Sequence, residues 1–258
     1  MGLIELNAIN KTEVFLPLEL QKLLEVFESD LKELWQSTDH TLFQKAEISE
    51  EKIERFFAMR VKIDPEKEWE IIENEKIVIA TLPAFRSDRT EKQTIIKTFA
   101  YPEELLNLPD PPPILYLKGQ IPEHAPLVAI VGTRKFSLYG KQVATELAAE
   151  LTNVGITIVS GLARGIDTFA HTACVERNNP TIAVLGSGIE EKSIYPPENF
   201  NLTKRIIETG GAIISEFSPG AEPFQSHFHQ RNRIVSGLSL GVIVIEAPHG
   251  PTRSIVSM

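Results

Sequence analysis

From Leu127 onward, short apolar runs alternate with glycines and helix-patterned segments. The runs are Leu127–Val131, Ile156–Val159, Thr181–Leu185, Ala212–Ile214 and Leu240–Ile245. Helices are predicted near 138–153, 166–178, 198–209 and 227–236. Strand–helix alternation of this kind builds parallel βαβ units. Strands without polar interruptions belong to a sheet covered on both faces. The expected fold class is α/β, a doubly wound, mostly parallel sheet.

The first half carries a different pattern. From Pro17 to Gln36, apolar residues fall at helical spacing: Leu20, Leu23, Leu24, Phe27, Leu31, Leu34 and Trp35. Pro17 suits a first helical turn. Ser49 is a candidate N-cap for a second helix, with Glu50 and Glu51 in its first turn and Ile53, Phe56 and Phe57 on its buried face. These features predict a small helical domain over residues 1–64, with residues 65–258 forming the α/β domain. Residues 77–81 read as a strand. Pro109-Asp110-Pro111-Pro112-Pro113 reads as a rigid connector, because prolines fit neither a helix interior nor a central strand. A short strand is expected at 114–117.

Charge changes the picture only once it is divided. The net charge of the 258 residues is −9. Residues 1–126 carry 15 basic and 24 acidic side chains, and residues 127–258 carry 11 of each. The acidity therefore belongs to the first half, and the second can still present a basic patch. The lone Cys174 excludes a disulfide framework and a cysteine metal cluster, and reads as a small core residue. Met1–Asn10 lacks a basic region followed by an apolar run. No apolar stretch reaches the ~18 residues of a membrane span. The expectation is a cytoplasmic protein without a membrane partner.

In an open parallel sheet, ligands bind outside the carboxyl ends of the strands. Three of those ends are glycine-rich here: Gly132-Thr133-Arg134-Lys135, Ser160-Gly161-Leu162-Ala163-Arg164-Gly165, and Gly186-Ser187-Gly188. Each precedes a helix, whose exposed N–H groups and dipole favour anions. Glycine permits close backbone approach to a phosphate, and Arg134 and Arg164 add forked cationic donors. One such loop alone is better read as a tight turn. Three on one edge, two with an arginine, point to a phosphate-binding surface, with Lys135 as a further contact.

Other chemistries fit less well. The dinucleotide fingerprint is absent, since Glu191 stands where its third glycine belongs. Gly140-Lys141 continues with Gln142 and lacks the upstream glycine of a P-loop. No cofactor is implied. Ser160, Asp167 and His171 allow a hydrolase triad to be imagined, but no G-x-S-x-G elbow surrounds the serine. Asp167 is better read as orienting its loop, and His171 as a local packing or hydrogen-bonding residue. His227 and His229 lie two apart on a helix, point apart, and have no evident third partner for a metal. Arg231-Asn232-Arg233 is a compact polar cluster. Asn232 and Arg233 are candidate phosphate contacts, with pairing of the arginines to Glu216 or Glu246 as the structural alternative.

In order, Gly132-Thr133-Arg134…Tyr139-Gly140, the block Ser160–Asp167…Ala170-His171, Gly186-Ser187-Gly188…Tyr195-Pro196…Asn199, Ser215-Glu216…Pro219-Gly220, Phe228…Arg231-Asn232-Arg233-Ile234 and Gly237-Leu238-Ser239 resemble the DNA-processing protein A (DprA/Smf) family. The connector around Tyr101-Pro102 and Pro113…Gly119 is similar as well. The resemblance spans residues 76–253. It implies an extended Rossmann-like domain that binds single-stranded DNA, homodimerises and hands DNA to a RecA-type recombinase during natural transformation. It maps the family's DNA-contacting basic residues onto Arg134 and Arg164, and its variable, often SAM-like, domain onto the helical N-terminus. The family pattern continues beyond the Glu246-Ala247 strand with a helix, another strand and often a winged helix. Thr252-Arg253-Ser254-Ile255 departs from a more glycine-containing stretch. The sheet is thus expected to be short at one end, or the chain to be a fragment.

The reading is a non-catalytic single-stranded DNA-binding recombination mediator. Its expected contacts are Gly132, Thr133, Arg134, Lys135, Ser160, Gly161, Arg164, Gly165, Gly186, Ser187, Gly188, Asn232 and Arg233. Phe136 and Tyr139 are candidate base-stacking aromatics, with packing beneath the loop as the alternative for Tyr139. Two other classes remain. One is a Rossmann-type nucleotide N-glycosidase or phosphoribohydrolase, whose Pro-Gly-Gly-x-Gly-Thr signature is missing. The other is a nucleotide sensor without chemistry.

Overall fold

The computed structural model describes residues 2–83 and 99–247. The Thr252–Ile255 departure and part of the irregular stretch before Pro109 lie outside them. The chain divides into two compact units. One comprises Met1–Tyr101, Pro109–Tyr116 and Phe217–Pro219; the other comprises Pro102–Leu108, Leu117–Glu216 and Gly220–Met258.

Among the described residues, the first unit holds helices α1 Leu3–Lys11, α2 Pro17–Val26, α3 Leu31–Gln36, α4 His40–Lys45, α5 Glu50–Arg60 and α6 Pro65–Asn74. Strand β1, Val78–Thr81, follows them. Local chemistry sets the helix starts. Pro17 and Pro65 open α2 and α6. Asp30 accepts from the Lys32 and Glu33 amides, and Asp39 from the Thr41 amide. Asp30 also explains why the helical spacing from Pro17 to Gln36 is divided between two helices. Glu28 and Ser29 adopt left-handed backbone, φ 49° and 64°, and Asp30 caps the next helix. Ser49 precedes α5 in extended backbone, but its hydroxyl makes no capping bond. Phe43 and Phe56 are fully buried with centroids 5.7 Å apart, and Phe15 and Trp35 pack on Phe56. An aromatic cluster thus sits within a core otherwise filled by leucine and isoleucine side chains.

The second unit is the expected α/β layer structure. Strands β3 Leu127–Gly132, β4 Thr157–Ser160, β5 Thr181–Val184 and β6 Ala212–Ser215 alternate with helices α7 Leu138–Asn153, α8 Ile166–Glu176 and α9 Phe200–Glu208. Helix α10, Gln225–Gly237, then leads to β7, Val242–Ile245. With β2 at Ile114–Gly119, the strands of the described residues take the order β1-β2-β6-β5-β4-β3-β7. The pairings of β3 with β4 and β7, β4 with β5, and β5 with β6 are all parallel. From β3 the chain steps outward one strand at a time to β6, then returns to β7 on the other side of β3. The sheet order therefore reverses between β3 and β7, where open α/β sheets form a ligand crevice.

Ile130 and Ile158 of the sheet pack with Ala144 and Ala148 of α7 and Ala170, Ala173 and Cys174 of α8. Burial pushes the Cys174 thiol up to about 12, so it stays protonated as a core residue. Strand β7 departs from a sheet covered on both faces. It lies at the edge, and Val242 and Val244 are 37% and 45% exposed.

Candidate functional site

The crevice between β3 and β7 is occupied by the chain itself. Ser137, the N-cap of α7, donates its amide (2.8 Å) and its hydroxyl to the Glu246 carboxylate. A carboxylate thus sits at the helix N-terminus where a dinucleotide would place its phosphates. The Ser137 hydrogen bonds hold that carboxyl below its ordinary range. Gly140 leaves room for this carboxylate, since a Cβ there would come within 2.2 Å of a Glu246 carboxylate oxygen.

Beside this crevice the first two loops lie together. The Ile166 amide reaches the Thr133 carbonyl at 3.4 Å. Gly165, at φ +86°, would place a Cβ 2.4 Å from that same oxygen. The Asp167 carboxylate accepts from the Gly161 and Ala163 amides at 3.1 and 3.3 Å, so it does orient its loop. The Ser160 hydroxyl donates to the Ile130 carbonyl at 2.5 Å. Thr133 Oγ1 accepts from the Lys135 amide at 3.0 Å, and the Thr133 amide donates to the Glu246 carbonyl.

Arg231, from α10, locks the strand ends from behind. Its side chain is buried, and Nη1 donates to the carbonyls of Gly161 (2.5 Å) and Val184, at the ends of β4 and β5. Nε donates to Asn232 Oδ1 at 3.3 Å. Burial pulls the guanidinium down to about 10, against the attraction of Asp167. Even so it is charged at neutral pH. Gly161 is a glycine because a Cβ would overlap this guanidinium. Sequence reasoning named the Arg231-Asn232-Arg233 cluster but chose Asn232 and Arg233, whereas Arg231 is the one that joins the loops. Arg233 forms a partly buried ion pair with Glu216, the structural alternative raised from sequence.

The third loop is closed. Gly186, Ser187 and Gly188 are all buried. The Gly188 amide donates to the Ala221 carbonyl, and the Ser187 carbonyl accepts from the Ser215 hydroxyl. A Cβ on Gly186 would come within 2.6 Å of the Phe228 ring. Three open phosphate cradles were expected on one edge. The structure instead uses several of these glycines for close packing, and exposes Arg134, Lys135 and Arg164.

The two exposed arginines flank a pair of aromatic rings. The Arg134 guanidinium lies 5.2 Å from the Phe228 centroid, and that of Arg164 lies 5.8 Å from the Tyr195 centroid. Tyr195 and Phe228 are 5.6 Å apart and inclined by 44°. Arg164 also pairs with Glu198 at 2.7 Å, not with Glu216 or Asp167. Phe136 packs edge-on against Phe169 at 4.5 Å, whereas Tyr139 is 71% exposed and does not pack beneath its loop.

A hydrolase triad finds no support in this geometry. Ser160, Asp167 and His171 are all buried. His171 Nδ1 lies 2.9 Å from Thr181 Oγ1, and burial lowers its pKa to about 3, so the ring is neutral. His227 is buried edge-on to Phe224 while His229 is exposed, so the two do not converge on a metal. His40, Glu50 and Glu54 have metal-like spacing in the first unit. They face solvent, and His40 pairs with Glu50 at 2.7 Å, which accounts for them as surface ion pairing.

Fold and site together define a Rossmann-like α/β protein with a cationic, aromatic-lined surface at its strand ends. The chain belongs to the DNA recombination-mediator protein A family, whose model matches residues 92–251. Protein Smf of Synechocystis sp. is 44% identical over 153 residues, covering 57% of this chain and 38% of that protein. Protein Smf of Escherichia coli is 43% identical over 148 residues, covering 57% and 39%. These matches therefore span well under half the length of either relative. The X-ray structure of DNA processing protein A from Streptococcus pneumoniae aligns with a TM-score of 0.67 at 30% identity, covering 96% of this chain and 79% of that one. A Helicobacter pylori DNA processing protein A, whose structure is described for its single-stranded DNA binding mode, aligns at 0.55 and 30% identity, covering 68% and 73%.

Proposed function

We propose that this chain binds single-stranded DNA without chemically altering it and acts as a recombination mediator. In this reading it protects incoming single strands and passes them to a RecA-type recombinase during natural transformation, as a cytoplasmic homodimer. The carrying observation is the pair of exposed arginines, Arg134 and Arg164, on adjoining loops at one end of the parallel sheet. Lys135 adds a third cation on the same loop as Arg134. The neighbouring helix terminus and the closed third loop leave little room for a mononucleotide phosphate, which favours a polymer lying across the surface over a nucleotide sensor or N-glycosidase.

The test is a binding series with single- and double-stranded oligonucleotides of one sequence at rising salt. With three or four phosphates neutralised, log K against log salt should fall with a slope of roughly −2 to −3, and single strands should bind more tightly. Equal affinity for duplex, or a flat salt response, would refute the reading.

A further inference from the structure

Arg134 and Lys135 project from a loop that is fixed at both ends, and both ends are bonded to one residue from the far side of the chain. We propose that Glu246 is the positioning residue of this loop: it staples Thr133 to Ser137, so that Arg134 and Lys135 meet phosphate from a loop already in place. This inference rests on the single-strand reading above and adds the device that orders its cations.

Glu246 leaves β7 in left-handed backbone, φ 53°, and turns two acceptors toward this loop. Its carbonyl accepts from the Thr133 amide at 2.9 Å. Its carboxylate accepts from the Ser137 amide at 2.8 Å and from the Ser137 hydroxyl. On the other side, the Thr133 carbonyl accepts from the Ile166 amide, so the start of the loop is held between the end of β7 and the start of α8. Inside the loop, Thr133 Oγ1 accepts from the Lys135 amide at 3.0 Å. Thr133 is buried, whereas Arg134 and Lys135 are exposed between the two fixed points. A loop that its ligand must first order gives up part of the binding free energy, and a loop held in shape does not. By charge alone, a carboxylate so near the loop opposes DNA. By its hydrogen bonds, it holds the cations that attract DNA. Substitutions separate the two effects.

Glu246→Gln loses the charge and keeps an acceptor for the Ser137 amide. Glu246→Ala loses both. Glu246→Asp keeps the charge but draws the carboxylate back by one methylene. In oligothymidine titrations at one low salt concentration, Glu246→Gln should bind as tightly as the wild type or more so. Glu246→Ala should bind about three- to tenfold more weakly than Glu246→Gln, the scale of a hydrogen bond lost. Glu246→Asp should fall below the wild type, and it carries the comparison if Glu246→Ala melts too low to assay. In a chain with Arg134→Ala and Lys135→Ala, Glu246→Gln and Glu246→Ala should bind alike, because the staple then has no cations to place. Trypsin, which cuts after arginine and lysine, reads the loop without DNA. Cleavage after Arg134 and Lys135 should be faster in Glu246→Ala than in Glu246→Gln. Equal affinities of Glu246→Gln and Glu246→Ala would overturn the inference and leave the single-strand reading standing. So would equal cleavage rates, or an alanine defect that persists without the loop cations. A wild-type chain that binds no single strand overturns that reading and this inference with it.

Discussion

Arg134 and Arg164 occupy corresponding places after β3 and β4, yet their surroundings differ. Arg134 lies over Phe228 and, among the described residues, pairs with no carboxylate. Arg164 is held by Glu198, whose carboxylate occupies the guanidinium that a phosphate would take. In the proposed function, DNA must displace that carboxylate before it can use Arg164. Glu198→Gln is therefore expected to tighten single-strand binding about two- to fivefold, the modest effect of an exposed pair. Arg134→Ala should weaken binding about tenfold or more, the scale of a charge-assisted hydrogen bond lost from a contact. Arg164→Ala should cost less in the wild type, since it also removes the need to displace Glu198, and more in the Glu198→Gln background. Lysine at either position should restore only part of the affinity where the contact is forked. Both arginines are exposed, so melting temperature should barely move. Oligonucleotide titrations of the four combinations test this. An unchanged or weaker Glu198→Gln variant would contradict the displacement, and a destabilised arginine double mutant with wild-type affinity would contradict the site itself.

At the scale of elements, α10 is the buttress that holds the ends of β4 and β5 in register with the exposed loops. Its Arg231 satisfies two strand-end carbonyls and balances the buried Asp167. Arg231→Met keeps most of the length but removes the cation that attracts the buried Asp167 and leaves two strand-end carbonyls without their donor. A loss of about 2–4 kcal/mol is expected, since each buried carbonyl left without its donor costs roughly 1–3 kcal/mol. Denaturant unfolding measures it, and a loss below about 1 kcal/mol would mean that the loops are held by other contacts. The strand–helix alternation was legible because parallel βαβ units repeat a local pattern, apolar run, glycine, helix. Asp167 was legible too, since its partners lie a few residues away. Arg231 was not, because its partners are backbone carbonyls 70 and 47 positions distant. The glycines were misleading for a related reason. Gly161 and Gly186 are small to admit Arg231 and Phe228, which arrive from a helix much later in the chain. The aromatic pair was equally hidden, although Tyr195 and Phe228 both stood in the motifs that carried the family resemblance.

At the scale of the whole molecule, the acidic excess lies in residues 1–126 and the loops proposed to hold DNA lie beyond them, so the two can be perturbed separately. The sequence boundary after residue 64 falls between α5 and α6. Glu68 of α6 pairs with Lys11 of α1 at 2.9 Å, and the buried Tyr116 hydroxyl donates to Asn7 of α1 at 2.8 Å. Removing residues 1–64 therefore leaves Glu68 and Tyr116 without those partners. The truncated chain is expected to melt at a lower temperature than the full one, because a buried hydroxyl left unsatisfied is destabilising. Arg134, Lys135, Arg164 and the Arg231 lock all lie outside the removed segment. Single-strand affinity per folded molecule should accordingly be retained, or rise at low salt as acidic side chains are lost. Circular dichroism and an oligonucleotide titration on one sample, at two salt concentrations, measure both quantities. A truncated chain that stays folded yet binds no single strand would place an essential DNA contact in the helical unit. A gain in affinity that vanishes at high salt would show that the helical unit acts on DNA only through its charge.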